Sequence, residues 1–179
     1  MKLNLIVVTI VCVTSLSFQC RKDKPDVQNE LPPVTQSGQN IFACHINGDS
    51  WISDKGLSNM GGAISSDSFD VVGTRQYSDG HLEKLLIRLY GSYNPSITTY
   101  SLNNTTTSYA IYNRTSAKSC FSISGGYGDV IVRKVTGGTV TITKRDTINR
   151  IISGTFSFYV PTDFCDTLKV TDGRFDIKY

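Results

Sequence analysis

Apolar and polar residues alternate along most of this chain, and the period is two. Asn40 to Ile46 sets Phe42, Cys44 and Ile46 against Ile41, Ala43 and His45. Lys84 to Tyr90 sets Leu85, Ile87 and Leu89 against Leu86, Arg88 and Tyr90, and Ile151 to Val160 carries Phe156, Phe158 and Val160 on one side. Successive side chains of a strand point to opposite faces, so this alternation predicts half-buried β-strands. Further strands are expected ahead of Val71-Val72-Gly73 and at Thr98–Leu102, Tyr109–Tyr112, Ser119–Ile123, Val130–Val135 and Thr139–Thr143. His81 to Arg88 would suit a helix by composition, but its neighbours favour a strand, and no other window carries a helical apolar stripe.

Turn residues punctuate these runs. Asn47-Gly48 readily takes positive φ and predicts a tight hairpin. Gly137-Gly138 and Asp172-Gly173 predict two more hairpin turns, and Gly154 inside a strand predicts a bulge or a close backbone approach. Phe175 and Ile177 then belong to the core, while Arg174 and Asp176 share the opposite face, where a cross-strand ion pair is expected. About ten strands, with turn signals every eight to twelve residues or so, predict one antiparallel β-sandwich or barrel-like domain.

The first residues follow a different pattern. Lys2 precedes the apolar run from Leu5 to Val13, and Cys20 closes the segment just before Arg21-Lys22-Asp23-Lys24. That is the layout of a secretory signal, shorter than the roughly 20 apolar residues a membrane-spanning helix needs. A cysteine at the junction predicts a lipoprotein signal over residues 1–19 and acylation of Cys20, which makes a membrane the first partner. Gln19 stands where a small residue is usual, so the alternative is an ordinary signal cut after Ser17. Residues 20–39, with Pro25, Pro32 and Pro33 among polar neighbours, are expected to be a disordered tether. The all-β domain is then 40–179, long enough for one core.

Composition adds mostly exclusions. The net charge is +3, and the pairs Arg133-Lys134 and Lys144-Arg145 are scattered, so no basic stripe for nucleic acid is expected. Of the five cysteines, Cys44, Cys120 and Cys165 follow the leader; outside the cytoplasm one disulfide and one free thiol are expected, with the pairing open. Cys44 alternates toward the core, and Cys165 lies in the turn-like Pro161 to Asp166, which makes it the favoured partner. Two histidines and no paired cysteine spacing argue against a metal site. Asp79-Gly80-His81-Leu82-Glu83 puts two carboxylates around a turn but lacks the alternating oxygen ligands of a calcium loop, so a solvated turn is expected.

No catalytic residue and no cofactor are predicted, because nucleophile elbow, zinc motif and phosphate loop are all absent. Among the aromatics, Tyr90, Tyr93, Tyr100, Tyr109 and Tyr112 crowd one stretch rich in Ser, Thr and Asn. Exposed tyrosines on a sheet can stack on sugar rings or anchor a protein partner, although tyrosine also suits half-buried strand positions.

Three blocks carry a resemblance: Asn40 to Trp51, Thr139 to Asp146 with Ile152 to Phe158, and Val170 to Ile177. Together they resemble a family of uncharacterised β-rich lipoproteins of Bacteroidota. The resemblance implies an outer-membrane lipoprotein of the cell envelope with an all-β domain, and transfers no activity to any residue. Asp146-Thr147-Ile148 and Asp166-Thr167-Leu168 resemble the O-glycosylation acceptor of exported proteins in that phylum, which would place sugars on Thr147 and Thr167. The expected function is a membrane-anchored envelope protein with a non-catalytic domain that binds a glycan or another envelope protein, or serves structure. The alternative is a secreted or envelope hydrolase with an aspartate pair acting on polysaccharide, drawn from Asp70, Asp129, Asp163, Asp166 and Asp176.

Overall fold

In the computed structural model, which describes residues 30–54, 61–64, 68–90, 98–103, 108–115, 131–163 and 165–179, the alternating runs become strands. There are eleven among the described residues: β1 Ile41–Ile46, β2 Asp49–Ile52, β3 Gly61–Ile64, β4 Ser68–Gln76, β5 Leu82–Tyr90, β6 Thr98–Asn103, β7 Tyr109–Arg114, β8 Ile131–Lys134, β9 Gly137–Asp146, β10 Ile151–Val160 and β11 Leu168–Lys178. They form a six-stranded sheet in the order β2-β1-β11-β10-β9-β6 and a five-stranded sheet in the order β3-β4-β5-β7-β8, every pairing antiparallel. The two sheets face each other as a sandwich and do not close into a barrel. The segment expected as strand or helix from His81 to Arg88 is strand from Leu82 onward, in β5.

One face of each sheet supplies the core. Phe42, Trp51, Phe156, Phe158 and Phe175 come from the six-stranded sheet, and Val71, Leu85, Ile87, Leu89 and Ala110 from the other. Phe42 meets Trp51 edge-on at 6.0 Å and Phe156 at 5.1 Å between ring centres. Its ring presses so closely on Gly73 of β4 that a Cβ there would lie 2.6 Å from it, which brings the sheets together at that point. The buried aromatic and branched side chains contribute the main driving force for folding.

Asn47 and Gly48 both take positive φ, 53° and 91°, and turn β1 into β2 as their sequence predicts. The other two dipeptides behave differently. Gly137 and Gly138 lie inside β9, paired with Tyr159 and Phe158, and the chain passes from the five-stranded to the six-stranded sheet just before them. At that corner the Val135 amide donates to the Ala110 carbonyl and the Thr136 amide to the Tyr159 carbonyl, one bond to each sheet. Asp172-Gly173 likewise sits within one continuous β11. Asp172 has φ of 52° and the register of β11 slips against both β1 and β10 there, so the pair makes a bulge. Gly173 is required, since a Cβ would stand 2.3 Å from the Phe156 ring. Gly154 shows both features its sequence suggested, with a register slip beside it and Phe175 packed against its Cα.

The tether boundary moves. Residues 31–39 do not hang free: they form a strap across the outer face of the six-stranded sheet. Asp176 organises it, accepting from the Thr35 hydroxyl at 2.6 Å and from the amides of Ser37, Gly38 and Gln39 at 2.9–3.1 Å, while Ser153 donates to the same carboxylate from β10. Arg174 donates to the Pro32 carbonyl at 2.9 Å, Lys144 donates to that of Gln36, and Leu31 is buried. Arg174 and Asp176 therefore serve the strap, and these bonds stand where a cross-strand ion pair was expected. Burial works against the Asp176 charge, but the donors from Thr35, Gln39, Ser153 and Gly38 outweigh it and hold the carboxyl at about 2.

Candidate functional site

Strand β5 carries two arginine–carboxylate clusters, one on each face. Its alternation turns Glu83, Leu85, Ile87 and Leu89 inward and Lys84, Leu86, Arg88 and Tyr90 outward. Strand β7 matches it, with Ala110, Tyr112 and Arg114 inward and Tyr109, Ile111 and Asn113 outward.

On the inner face Glu83 opposes Arg114 in the β5–β7 register and pairs with it. The carboxylate also accepts from Trp51 Nε1 at 2.9 Å, Tyr77 Oη at 2.7 Å and Tyr112 Oη at 2.8 Å. Trp51 belongs to the opposite sheet, so Glu83 ties the sandwich together. Desolvation pushes its carboxyl up, but the Tyr77 and Tyr112 hydroxyls, the Arg114 charge and the Trp51 donor outweigh it, and the group is held below the ordinary range. Burial and then Glu83 itself push the hydroxyls of Tyr77 and Tyr112 up, so both stay protonated donors. The network continues outward: Arg114 reaches His81 Nε2 at 3.0 Å, and His81 Nδ1 meets Asp79. A guanidinium only donates, so Nε2 is the acceptor and the ring proton sits on Nδ1, toward Asp79. His81 stacks on Tyr77 at 4.0 Å, with Arg75 at 4.8 Å from the same tyrosine.

Four donors fill the roughly four acceptor positions of the Glu83 carboxylate. A saturated, permanently ionised group has no lone pair left for a substrate proton. This cluster is a structural clamp. It also corrects the expected solvated turn, because Glu83 lies in the core and only Asp79 faces solvent.

The outer face of the same strands is arranged differently. Arg88 grips Asp70 of β4 through Nε at 2.6 Å and Nη2 at 2.5 Å, and donates from Nη1 to the Tyr109 hydroxyl at 3.1 Å. Tyr90 stands beside them at the end of β5. The two tyrosine rings lie 6.4 Å apart, and Lys134 Nζ stands 5.2 Å from the Tyr109 ring centre. Register places Val72, Leu86, Ile111 and Lys134 in the adjoining cross-strand row, the three apolar ones partly exposed. Tyr90 is 37% exposed. The face thus combines an aromatic pair, a bidentate charged pair and apolar rungs, with Tyr90 and Lys134 exposed and the others partly buried.

The five tyrosines of the crowded stretch separate. Tyr90 and Tyr109 share this outer face, Tyr112 is inside on Glu83, Tyr100 packs beside the core from β6 of the other sheet, and Tyr93 lies outside the described residues. Cys44 is a free and fully buried thiol, which removes it from the expected pairings; burial, with Glu83 adding to it, pushes the thiol up. Cys20, Cys120 and Asp129 lie outside the described residues, as does the strand expected at Ser119–Ile123. Thr147 is exposed at the β9–β10 tip, beside an Asp146 carboxylate bonded to Asn149. Thr167 is exposed and lines an open depression of ≈ 380 Å³ with Asn47, Gly48, Asp166, Lys169 and Thr171. The remaining aspartates are dispersed: Asp70 is held by Arg88, Asp163 by Arg133 and Asp176 by the strap, while Asp166 is exposed in its loop. Among the described residues no three His, Cys, Asp or Glu side chains gather as a metal site.

Sequence reasoning missed Asp70, Arg88 and Lys134 as a group. Alternation put Arg88 and Tyr90 on one face, but the pairing of β4, β5, β7 and β8 that brings Asp70, Tyr109 and Lys134 beside them is not encoded in local spacing.

Residues 39–176 match the family described as a domain of unknown function, DUF6252. The chain belongs to that family. The match runs from the last strap residue through Asp176, so both arginine clusters on β5 fall within the DUF6252 domain. No curated protein and no solved structure matches the chain.

Proposed function

We propose that this DUF6252 protein is a membrane-anchored envelope lipoprotein, acylated at Cys20, whose sandwich binds carbohydrate without catalysis on the outer face of the five-stranded sheet. The observation that carries the reading is the Asp70–Arg88–Tyr109–Tyr90 cluster. An arginine bond holds the Tyr109 ring and Tyr90 packs against it, so the two rings offer a stacking platform for a sugar ring. The bidentate pair presents carboxylate oxygens and guanidinium edges to hydroxyl groups. In contrast, the one deeply buried acid with aromatic and histidine neighbours, Glu83, is saturated, and the described aspartates are engaged or dispersed. The strap supports presentation of this face: residues 31–39 lie on the outer side of the opposite sheet, so a tether arriving through them attaches at the back.

The cysteine chemistry fits an exported domain. Cys44 is free and buried, so of the expected pairings this reading keeps Cys120 with Cys165. Thr147 and Thr167 stand on exposed loops, accessible for the glycosylation proposed there.

The test is affinity electrophoresis of the purified protein through gels containing a panel of soluble polysaccharides. Retardation by at least one polymer, lost in Tyr90→Ala with the melting temperature unchanged, is the expected result. Mobility unaffected by every polymer in the panel overturns the carbohydrate reading. Intact mass of the protein from its native membrane tests the anchor separately, with an acyl increment on a chain starting at Cys20 expected.

A further inference from the structure

Resting on that reading, we infer that the ligand of this face is an anionic, carboxylate-bearing polysaccharide, a uronate polymer, held by Lys84 and Lys134 in addition to the tyrosines. The inference comes from the charge left over on the face. Its described charged groups are Asp70, Lys84, Arg88 and Lys134. Asp70 and Arg88 neutralise each other. Lys84 and Lys134 make no ion pair among the described residues, and both point the same way as Tyr90 and Tyr109. The described residues of this face therefore carry a net positive charge.

The spacing of these groups sets the size of the ligand. Lys84 sits on β5 opposite Asn113 of β7, and Lys134 sits on β8 opposite Ile111. Two strand spacings separate them, about 10 Å across the sheet. A polymer that repeats a carboxylate along its length can meet both ammonium groups at once. Along β5, Lys84 and Tyr90 are six residues apart, about 20 Å in an extended strand. An extended polymer lying along β5 and β7 meets a lysine at one end, the Arg88 pair with Tyr109 in the middle and the exposed Tyr90 at the other end. A membrane surface would instead need a larger apolar or basic patch. A nucleic acid would draw on many more phosphate contacts than two lysines supply.

The experiment compares polygalacturonate with the same polymer methyl-esterified, which keeps the sugar backbone and removes the charge. The full protein should bind the acid polymer about tenfold more tightly than the ester, and Lys84→Gln with Lys134→Gln should remove about that tenfold preference while leaving the melting temperature and the binding of the ester unchanged. Raising salt should weaken binding of the acid polymer alone. Equal affinity for both polymers overturns the anionic inference and leaves the carbohydrate reading intact. Alginate and hyaluronan extend the acid series, so failure of all three acid polymers while a neutral polymer binds has the same meaning. Failure of every acidic and neutral polymer overturns both. Tighter binding of a single-stranded DNA oligonucleotide than of any uronate overturns the inference in favour of a nucleic acid.

Discussion

Strand β5 presents the same pair of functional groups twice, in two different settings. Inside, Glu83 and Arg114 have side chains 6% and 3% exposed; outside, Asp70 and Arg88 are 16% and 34% exposed. The inner pair is surrounded by donors that use every acceptor site, and removing one partner would strand a charge in the core. The outer pair leaves its edges and the neighbouring rings in water, where the net contribution of an ion pair to stability is small. Identical chemistry therefore holds the fold on one side of a strand and, in the proposed reading, serves recognition on the other, and exposure decides which.

The sharpest way to break the comparison is to cut the inner pair. Glu83→Ala should lower stability by about 3–5 kcal/mol, because Arg114 loses the buried carboxylate that pairs with it. Urea denaturation measures it, and a loss under 1 kcal/mol would remove the clamp from this account. Replacing both partners, Glu83→Leu with Arg114→Met, should recover much of that loss, since apolar groups of similar size carry no desolvation penalty.

Next in size is Asp176→Asn, which keeps the shape but weakens charge-assisted bonds to the strap. About 1–3 kcal/mol is expected, together with faster amide exchange of Ser37, Gly38 and Gln39. The pH dependence has a definite sign. A carboxyl held at about 2, below its ordinary 3.8, adds stability that is complete above about pH 4 and is lost as pH falls toward 2. The variant should lack that part of the acid-unfolding curve. An unchanged curve would mean that Asp176 does not organise the strap.

Smallest for stability is the outer pair. Asp70→Asn should cost under about 1 kcal/mol by thermal denaturation. It should still weaken polysaccharide binding, because Arg88 is then no longer held in place beside Tyr109. A variant that binds normally would show that the pair is a bystander and that ring exposure alone matters.

How much of this was legible in the sequence depends on the range of the interactions. Alternation identified β1, β5 and β10, the inward Phe156, Phe158, Phe175 and Ile177, and the core-facing Cys44, because strand periodicity is local. Gly154 was legible for the same reason. Asp172-Gly173 and Gly137-Gly138 were misread as hairpins since a turn, a bulge and a corner favour the same residues, and only the pairing partners distinguish them. The strap looked like tether because its residues are polar and proline-rich. What orders it is a carboxylate some 140 positions away, between 137 and 141 residues along the chain. Glu83 was assigned to a solvated turn because three of its four donors, Trp51, Tyr112 and Arg114, come from distant strands.

Pairing of β1 with β11 has a consequence for the order of events during biosynthesis. The six-stranded sheet joins the beginning of the domain to its end, and the strap then closes over that seam. A chain emerging N-terminus first holds β1 and β2 as a lone hairpin until β11 arrives, and a two-stranded hairpin is marginal in water. Residues 31–39 have nothing to dock on during that interval. Completion of the six-stranded sheet is set by β11, so the N-terminal hairpin and the strap stay undocked until that strand has formed.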